Sequence, residues 1–136
     1  MTLFDTSAVI DLTAPGSAWH GWASDVYVDR RLAGDLKISH VVLAELYAGR
    51  LGAERHDALS RLGFAVDPLD DAIAARAGAA HGEYRRRGGE RRAILADFLI
   101  GAHAAVRELP LVTRDPSRFT SYFPEIELIG PEDSDA

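Results

Sequence analysis

Short apolar runs alternate with longer segments of helical period along the whole chain, and that alternation narrows the fold more than any other property. Runs at residues 2–4, 36–38, 64–66, 109–112 and 126–129 have the length and composition of buried parallel strands. Lys37 and Glu127 interrupt two of them, and Pro110, which cannot donate to a ladder, must stand at a strand start. Between the runs, apolar residues recur every three or four positions. Ser7 is read as the N-cap of a short helix through Leu12. A second helix covers residues 17 to about 33, with Gly34 as its C-cap. A third follows Ser39 from residue 40 to about 49 and aligns Val42, Leu43, Leu46 and Tyr47. A fourth, rich in alanine, opens at Asp70 or Asp71 and runs to about residue 87, where Gly88 and Gly89 stop it. A fifth, at 92–107, is the most apolar, and a last short helix follows Pro116. Strands alternating with helices predict an α/β domain whose mainly parallel sheet is covered on both faces. Such sheets bind ligands outside the carboxyl ends of their strands, at a switch in strand order.

Four acids are placed to meet there. Asp5 ends the first strand and Asp115 follows the fourth. Glu45 lies within the third helix between Ala44 and Leu46, and Asp97 within the fifth between Ala96 and Phe98. Carboxylates are rarely buried unless paired, protonated or bound to metal. Each acid alone has a plainer reading: Asp5 or Asp115 as a cap or turn residue, Glu45 on a solvated helix edge. Asp97 resists that reading, because its surroundings are apolar and small, with Ala93 and Gly101 one turn away on either side. Glu45 likewise has Gly49 one turn on. Such small neighbours suit a ligand or ordinary helix packing. Four carboxylates in one pocket repel one another unless a cation neutralises them. Oxygen-only donors select a hard ion, Mg²⁺ or Mn²⁺. Such ions serve phosphoryl chemistry, so the residues lead to metal-assisted hydrolysis of a phosphodiester.

At 136 residues the chain is expected to be one domain, with no internal repeat. The absence of cysteine excludes a disulfide scaffold, a zinc–thiolate site and a thiol nucleophile, and favours a cytoplasmic location. No apolar run is long enough to span a membrane, and the opening residues lack the basic stretch of a signal peptide. A net charge of -6 argues at first against a nucleic-acid partner. Five of the acids, however, are Glu125, Glu127, Glu132, Asp133 and Asp135, in a stretch without Lys or Arg. The rest of the chain is close to neutral. It also carries Arg85, Arg86, Arg87, Arg91 and Arg92 around Gly88 and Gly89, just before the helix of Asp97. This cluster reads either as an RNA-backbone contact or as a solvated loop favoured at a helix C-terminus.

Four segments carry a family resemblance. Asp5-Thr6-Ser7-Ala8-Val9-Ile10-Asp11-Leu12 resembles the opening motif of PIN-domain ribonucleases. Leu43-Ala44-Glu45-Leu46-Tyr47-Ala48-Gly49 resembles their second motif, and Ala96-Asp97-Phe98-Leu99-Ile100-Gly101-Ala102-His103-Ala104 their third. Leu111-Val112-Thr113-Arg114-Asp115-Pro116-Ser117-Arg118-Phe119 resembles the fourth. Order, spacing and length are similar to the VapC-type toxins of bacterial toxin–antitoxin pairs. The resemblance implies a PIN-like three-layer α/β/α sandwich over residues 1–130, leaving 131–136 as an acidic tail. It implies that Asp5, Glu45, Asp97 and Asp115 hold one or two Mg²⁺ or Mn²⁺ ions. Thr113 would orient an acid or a water through its hydroxyl, with help from Thr6. The implied activity is endoribonucleolytic, against tRNA or other structured RNA. The implied partners are a small cognate antitoxin, VapB-like, which covers the cleft and represses the shared promoter, and a second copy of the chain in a homodimer. One position departs from the pattern: many relatives carry a further acid where this chain has Arg118. That arginine contacts phosphate or, on surface preference, is a solvated helix residue.

Other polar residues are less informative. The histidines show no metal-ligand spacing, and His103 reads as a packed helix residue. Trp19 and Trp22 read as core in preference to an exposed partner surface. Two rival functions remain open. An N-terminal strand followed by Asp-Thr also opens phosphatases with an aspartyl nucleophile, though these need a second Asp where Ser7 stands and a lysine far from Lys37. A PIN-like module that binds an antitoxin or RNA without cutting is the other.

Overall fold

The computed structural model describes residues 1–89 and 95–131. Five short strands form the centre: Thr2–Phe4 (β1), Leu36–Ser39 (β2), Phe64–Asp67 (β3), Leu111–Val112 (β4) and Leu128–Ile129 (β5). They make one sheet in the order β3-β2-β1-β4-β5, with every neighbouring pair parallel. The helices are Thr6–Leu12 (α1), His20–Ala33 (α2), His40–Ala48 (α3), Gly52–Arg61 (α4), Asp71–Arg86 (α5), Leu95–Arg107 (α6) and Ser117–Thr120 (α7). Successive strand residues point to opposite faces of a sheet. Leu3 and Phe4 are both fully buried, as are Leu111 and Val112. Both faces are therefore covered, and the α/β/α sandwich expected from the sequence is the observed fold.

Strand order places the site. From β1 the chain winds outward through β2 to β3, then returns to the other side of β1 for β4. The carboxyl ends of β1 and β4 thus flank the switch point, where a crevice opens because the two connections leave in opposite directions. The ladder continues one residue beyond β1, since the Asp5 N–H donates to Val112 O at 2.8 Å.

Three local expectations need correction. Asp5, not Ser7, caps α1: its Oδ1 accepts the Thr6 N–H at 2.8 Å, and the helix begins one residue before Ser7. A carboxylate wins this place because it is the stronger acceptor for the free N–H groups and suits the positive end of the helix dipole. The second helix starts at His20, because Ser17 to Trp19 form a turn tied by Ser17 Oγ to the Trp19 N–H. Finally, α4 was not anticipated. It is mostly polar and buries only Gly52 and Leu59, so its apolar period is too sparse to read. Gly52 is needed there, since a Cβ would come within 2.5 Å of Tyr47 Cα. The caps at Ser39, Asp70 and Gly34 stand as expected.

Candidate active site

Asp5 is 1% exposed, and its charge is met entirely by nearby donors. Oδ1 takes the Thr6 N–H; Oδ2 accepts the Thr113 hydroxyl at 2.7 Å and the Ser7 hydroxyl at 3.3 Å, and is also contacted by Arg118 Nη2. A carboxylate can stay buried on such terms. Thr113, fully buried at the end of β4, also accepts the Asp115 N–H at 3.2 Å. One hydroxyl therefore joins the two strand-end acids. Thr6, on the first turn of α1, donates to Glu45 Oε1 at 2.5 Å and so ties α1 to α3. Asp115 is exposed and accepts the Ser117 hydroxyl at 2.6 Å.

Asp97 approaches from α6. Burial holds its carboxyl above the usual carboxylate range, and the charges of Asp5, Glu45 and Asp115 push the same way while Arg118 opposes them. All four acids therefore share one electrostatic neighbourhood, although they come from four separate segments. The small residue one turn beyond Asp97 serves packing: a Cβ on Gly101 would meet the Phe123 ring at 2.5 Å.

Arg118 departs from its expected place. It stretches across the cluster, with Nη2 on Asp5 and Nη1 3.4 Å from Asp97 Oδ1. Its guanidinium also lies 5.1 Å from the centre of the Phe119 ring. Charge-assisted pairing holds the fork on two carboxylates while the residue stays exposed on α7.

A second buried acid was not singled out from the sequence. Asp11, on α1, is 1% exposed. Its Oδ1 accepts the Ser17 hydroxyl at 2.8 Å, and Arg114 Nε stands 3.0 Å from Oδ2, close enough for an ion pair though not aligned for a hydrogen bond. Arg114 precedes Asp115, and its N–H donates to Ser7 Oγ at 3.2 Å. Asp11 thus anchors the loop that carries Asp115. The signal was available, as a carboxylate set among apolar residues of a predicted helix.

The arginine cluster divides. Arg85 and Arg86 lie in the last turn of α5, and Arg87 caps it. Arg86 and Arg87 both pair with Glu83, at 3.0 and 2.7 Å, while Arg85 makes no ion pair among the described residues. Tyr84 and His81 of α5 pack on Phe98, so this helix end lies beside the start of α6 and Asp97. Arg91 and Arg92 lie outside the described residues. His103 is fully buried and bonds Asp67 Oδ2 at 2.7 Å, as a packed helix residue should. Trp22 packs against the core, whereas Trp19 is exposed. Trp19 stands in the turn before α2, outside the core cluster.

The donor chemistry fits a hard cation: four carboxylates, no competing thiol or imidazole, and mutual repulsion met by a single guanidinium. Among the described residues no three acid or histidine side chains are gathered closely enough to hold an ion as they stand. The Arg118 guanidinium stands between two of the acids, Asp5 and Asp97.

Comparison with known proteins agrees with this fold. Residues 2–122 match the PIN domain family. No curated protein matches the chain. Among solved structures, the fold is similar to VapBC2 from Rickettsia felis, crystallised on a DNA fragment from its promoter (16% identity, 96% of this chain and 98% of that one, TM-score 0.70). It is similar to VapBC-5 of Mycobacterium tuberculosis, a member of the VapBC toxin–antitoxin family (25% identity, 96% and 98% covered, TM-score 0.62). It also resembles VapC20 of M. tuberculosis, described as a sarcin-ricin loop cleaving toxin (20% identity, 82% and 87% covered, TM-score 0.57).

Proposed function

The chain belongs to the PIN-domain family, and from that premise we propose that it is a VapC-type toxin, a metal-dependent endoribonuclease held in check by a cognate antitoxin. The observation that carries the reading is the set of contacts linking the four acids: Thr113 joins Asp5 to Asp115, Thr6 holds Glu45 beside the first turn of α1, and Arg118 joins Asp5 to Asp97. Asp5, Asp97 and Asp115 would hold Mg²⁺ or Mn²⁺. When bound, such an ion neutralises phosphate oxygens and makes a nearby water more acidic. Glu45, steadied by Thr6, takes the proton of the attacking water or helps to hold a second ion. Thr113 would hold the Asp5 carboxylate in orientation through its hydroxyl and fix the backbone at Asp115. Attack by water, rather than by the ribose 2′-hydroxyl, leaves a 5′-phosphate and a 3′-hydroxyl.

The described activity of VapC20 supports RNA as the substrate class, with tRNA or another structured RNA as the target. The VapBC complexes support a VapB-like antitoxin as partner, which would also repress the shared promoter. A homodimer and a cytoplasmic place complete the reading. No helix among the described residues is long and apolar enough to cross a membrane. We also assign residues 1–130 to the PIN domain and 131–136 to an acidic tail; residues 132–136 lie outside the described residues. The aspartyl-phosphatase alternative is disfavoured, since Ser7 stands where such enzymes need a second Asp and the sole lysine, Lys37, lies on β2.

The test is cleavage of structured RNA by the purified chain with Mg²⁺ or Mn²⁺ and with EDTA. Cleavage is expected only with metal, with 5′-phosphate ends, and Asp97→Asn should abolish it while leaving the circular dichroism spectrum unchanged. Full activity in EDTA, or 2′,3′-cyclic phosphate ends, would sink the mechanism. A metal-loaded chain that binds its antitoxin but cuts no RNA would favour a non-catalytic module.

A further inference from the structure

Arg118 bridges two acids of the cluster, yet the hydrolytic mechanism gives it no part. Its two terminal nitrogens reach two acids from different elements, Asp5 at the end of β1 and Asp97 on α6. It is the group that offsets the combined effect of burial, Asp5, Glu45 and Asp115 on Asp97. Its backbone is firmly placed, because the neighbouring Phe119 is buried in the core and the Arg118 N–H donates to Asp115 O at 3.3 Å. Its side chain is 35% exposed, so the guanidinium has a path to solvent by rotation about its own bonds.

We propose that Arg118 is an internal counter-ion, which must swing off Asp5 and Asp97 before those acids can take up a divalent cation. The proposal rests on the metal reading above. The physical reason is competition for the same carboxylate oxygens. A guanidinium on Asp5 and Asp97 stabilises the metal-free site, and a dication brought to those oxygens repels it. A binding-competent site is thereby only partly populated, and the apparent affinity for metal falls by that fraction. Once displaced, Arg118 remains on α7 beside Asp115, with its charge turned outward to where a substrate phosphate would approach. Linkage is reciprocal, so metal binding exposes the arginine to the same extent that the arginine resists the metal.

The test is a Mn²⁺ titration of the full chain, read from the electron paramagnetic resonance signal of free Mn²⁺ at fixed ionic strength. Arg118→Gln is expected to bind Mn²⁺ about tenfold more tightly than the wild type. Arg61→Gln, which removes the same charge from an exposed pair on α4, should stay within about twofold. Equal or weaker binding by Arg118→Gln overturns the counter-ion role while the metal reading stands. No saturable Mn²⁺ binding by either protein overturns the metal reading, and the proposal with it. Thermal melts give a second measure. In EDTA, Arg118→Gln should melt below the wild type because the acids have lost their counter-ion, and Mn²⁺ should close that gap. A gap unchanged by Mn²⁺ overturns the proposal. Should Arg118→Gln fail to fold, Arg118→Lys keeps a charge without the fork and should bind Mn²⁺ more tightly than the wild type; affinity equal to the wild type would overturn it.

Discussion

Asp97 is the acid whose state pH can report. Burial and three neighbouring acids raise its carboxyl above the ordinary value of 3.8, against the pull of Arg118. A carboxyl with a raised folded-state pKa binds its proton more tightly in the folded chain than in the unfolded one. The chain therefore loses stability as pH rises from 3.8 through the raised value, and regains it on acidification across the same window. Asp97→Asn removes this dependence. In EDTA the variant is expected to melt above the wild type at neutral pH, with the difference shrinking as the pH falls through the raised value towards 3.8. A difference that stays constant down to 3.8 would mean that burial does not govern Asp97. Thr113 gives a complementary prediction. Thr113→Val keeps the shape of the side chain but removes the donor to Asp5 and the acceptor for the Asp115 N–H. It should cost about 1–3 kcal/mol in urea unfolding and most of the activity.

Among the elements, legibility followed the density of the apolar pattern. Helix α6 was plain, because residues such as Phe98, Ile100, Ala102 and Ala104 all turn inward and leave a wide apolar face. Helix α4 was invisible, because a helix that buries two residues writes almost nothing into the sequence. The start of α1 was misplaced for a different reason: Ser7 and Asp5 both suit a cap, and Asp5 takes that place while also standing in the candidate site. Gly101 shows the same ambiguity resolved the other way. It reads as room for a ligand or as ordinary helix packing, and the Phe123 ring fills that room. Gly101→Ala should therefore destabilise the fold by overpacking, by about 1–3 kcal/mol, without changing metal affinity per folded molecule. Parallel urea unfolding and Mn²⁺ titration separate the two effects, and a loss of affinity without a loss of stability would return Gly101 to the site.

Across the whole molecule, what the sequence could not display was convergence. Asp5, Glu45, Asp97 and Asp115 are spread over most of the chain, and only the return of β4 beside β1 brings their elements to one edge. Asp97 was visible as an anomaly and Arg118 as a departure from the family pattern, whereas the bridge that Arg118 makes from Asp97 to Asp5 was not. Charge has the same character. The net value of -6 includes Glu125, which the sequence assigns to an acidic end but which pairs with Arg76 at 3.1 Å inside the fold. The cationic side is likewise uneven, because Glu83 already engages Arg86 and Arg87 while Arg85 is left without an ion pair among the described residues. A phosphate can recruit a free guanidinium without first breaking a pair, so the three arginines should not contribute equally to RNA binding. Replacing Arg85, Arg86 and Arg87 together by glutamine should weaken binding of a single-stranded RNA and flatten its logarithmic salt dependence by about 0.7 for each phosphate no longer neutralised. Arg85→Gln alone should account for the largest single share. Filter binding across a salt series measures both slopes, and a triple variant with the wild-type slope would leave these arginines as helix-end charges with no part in holding RNA.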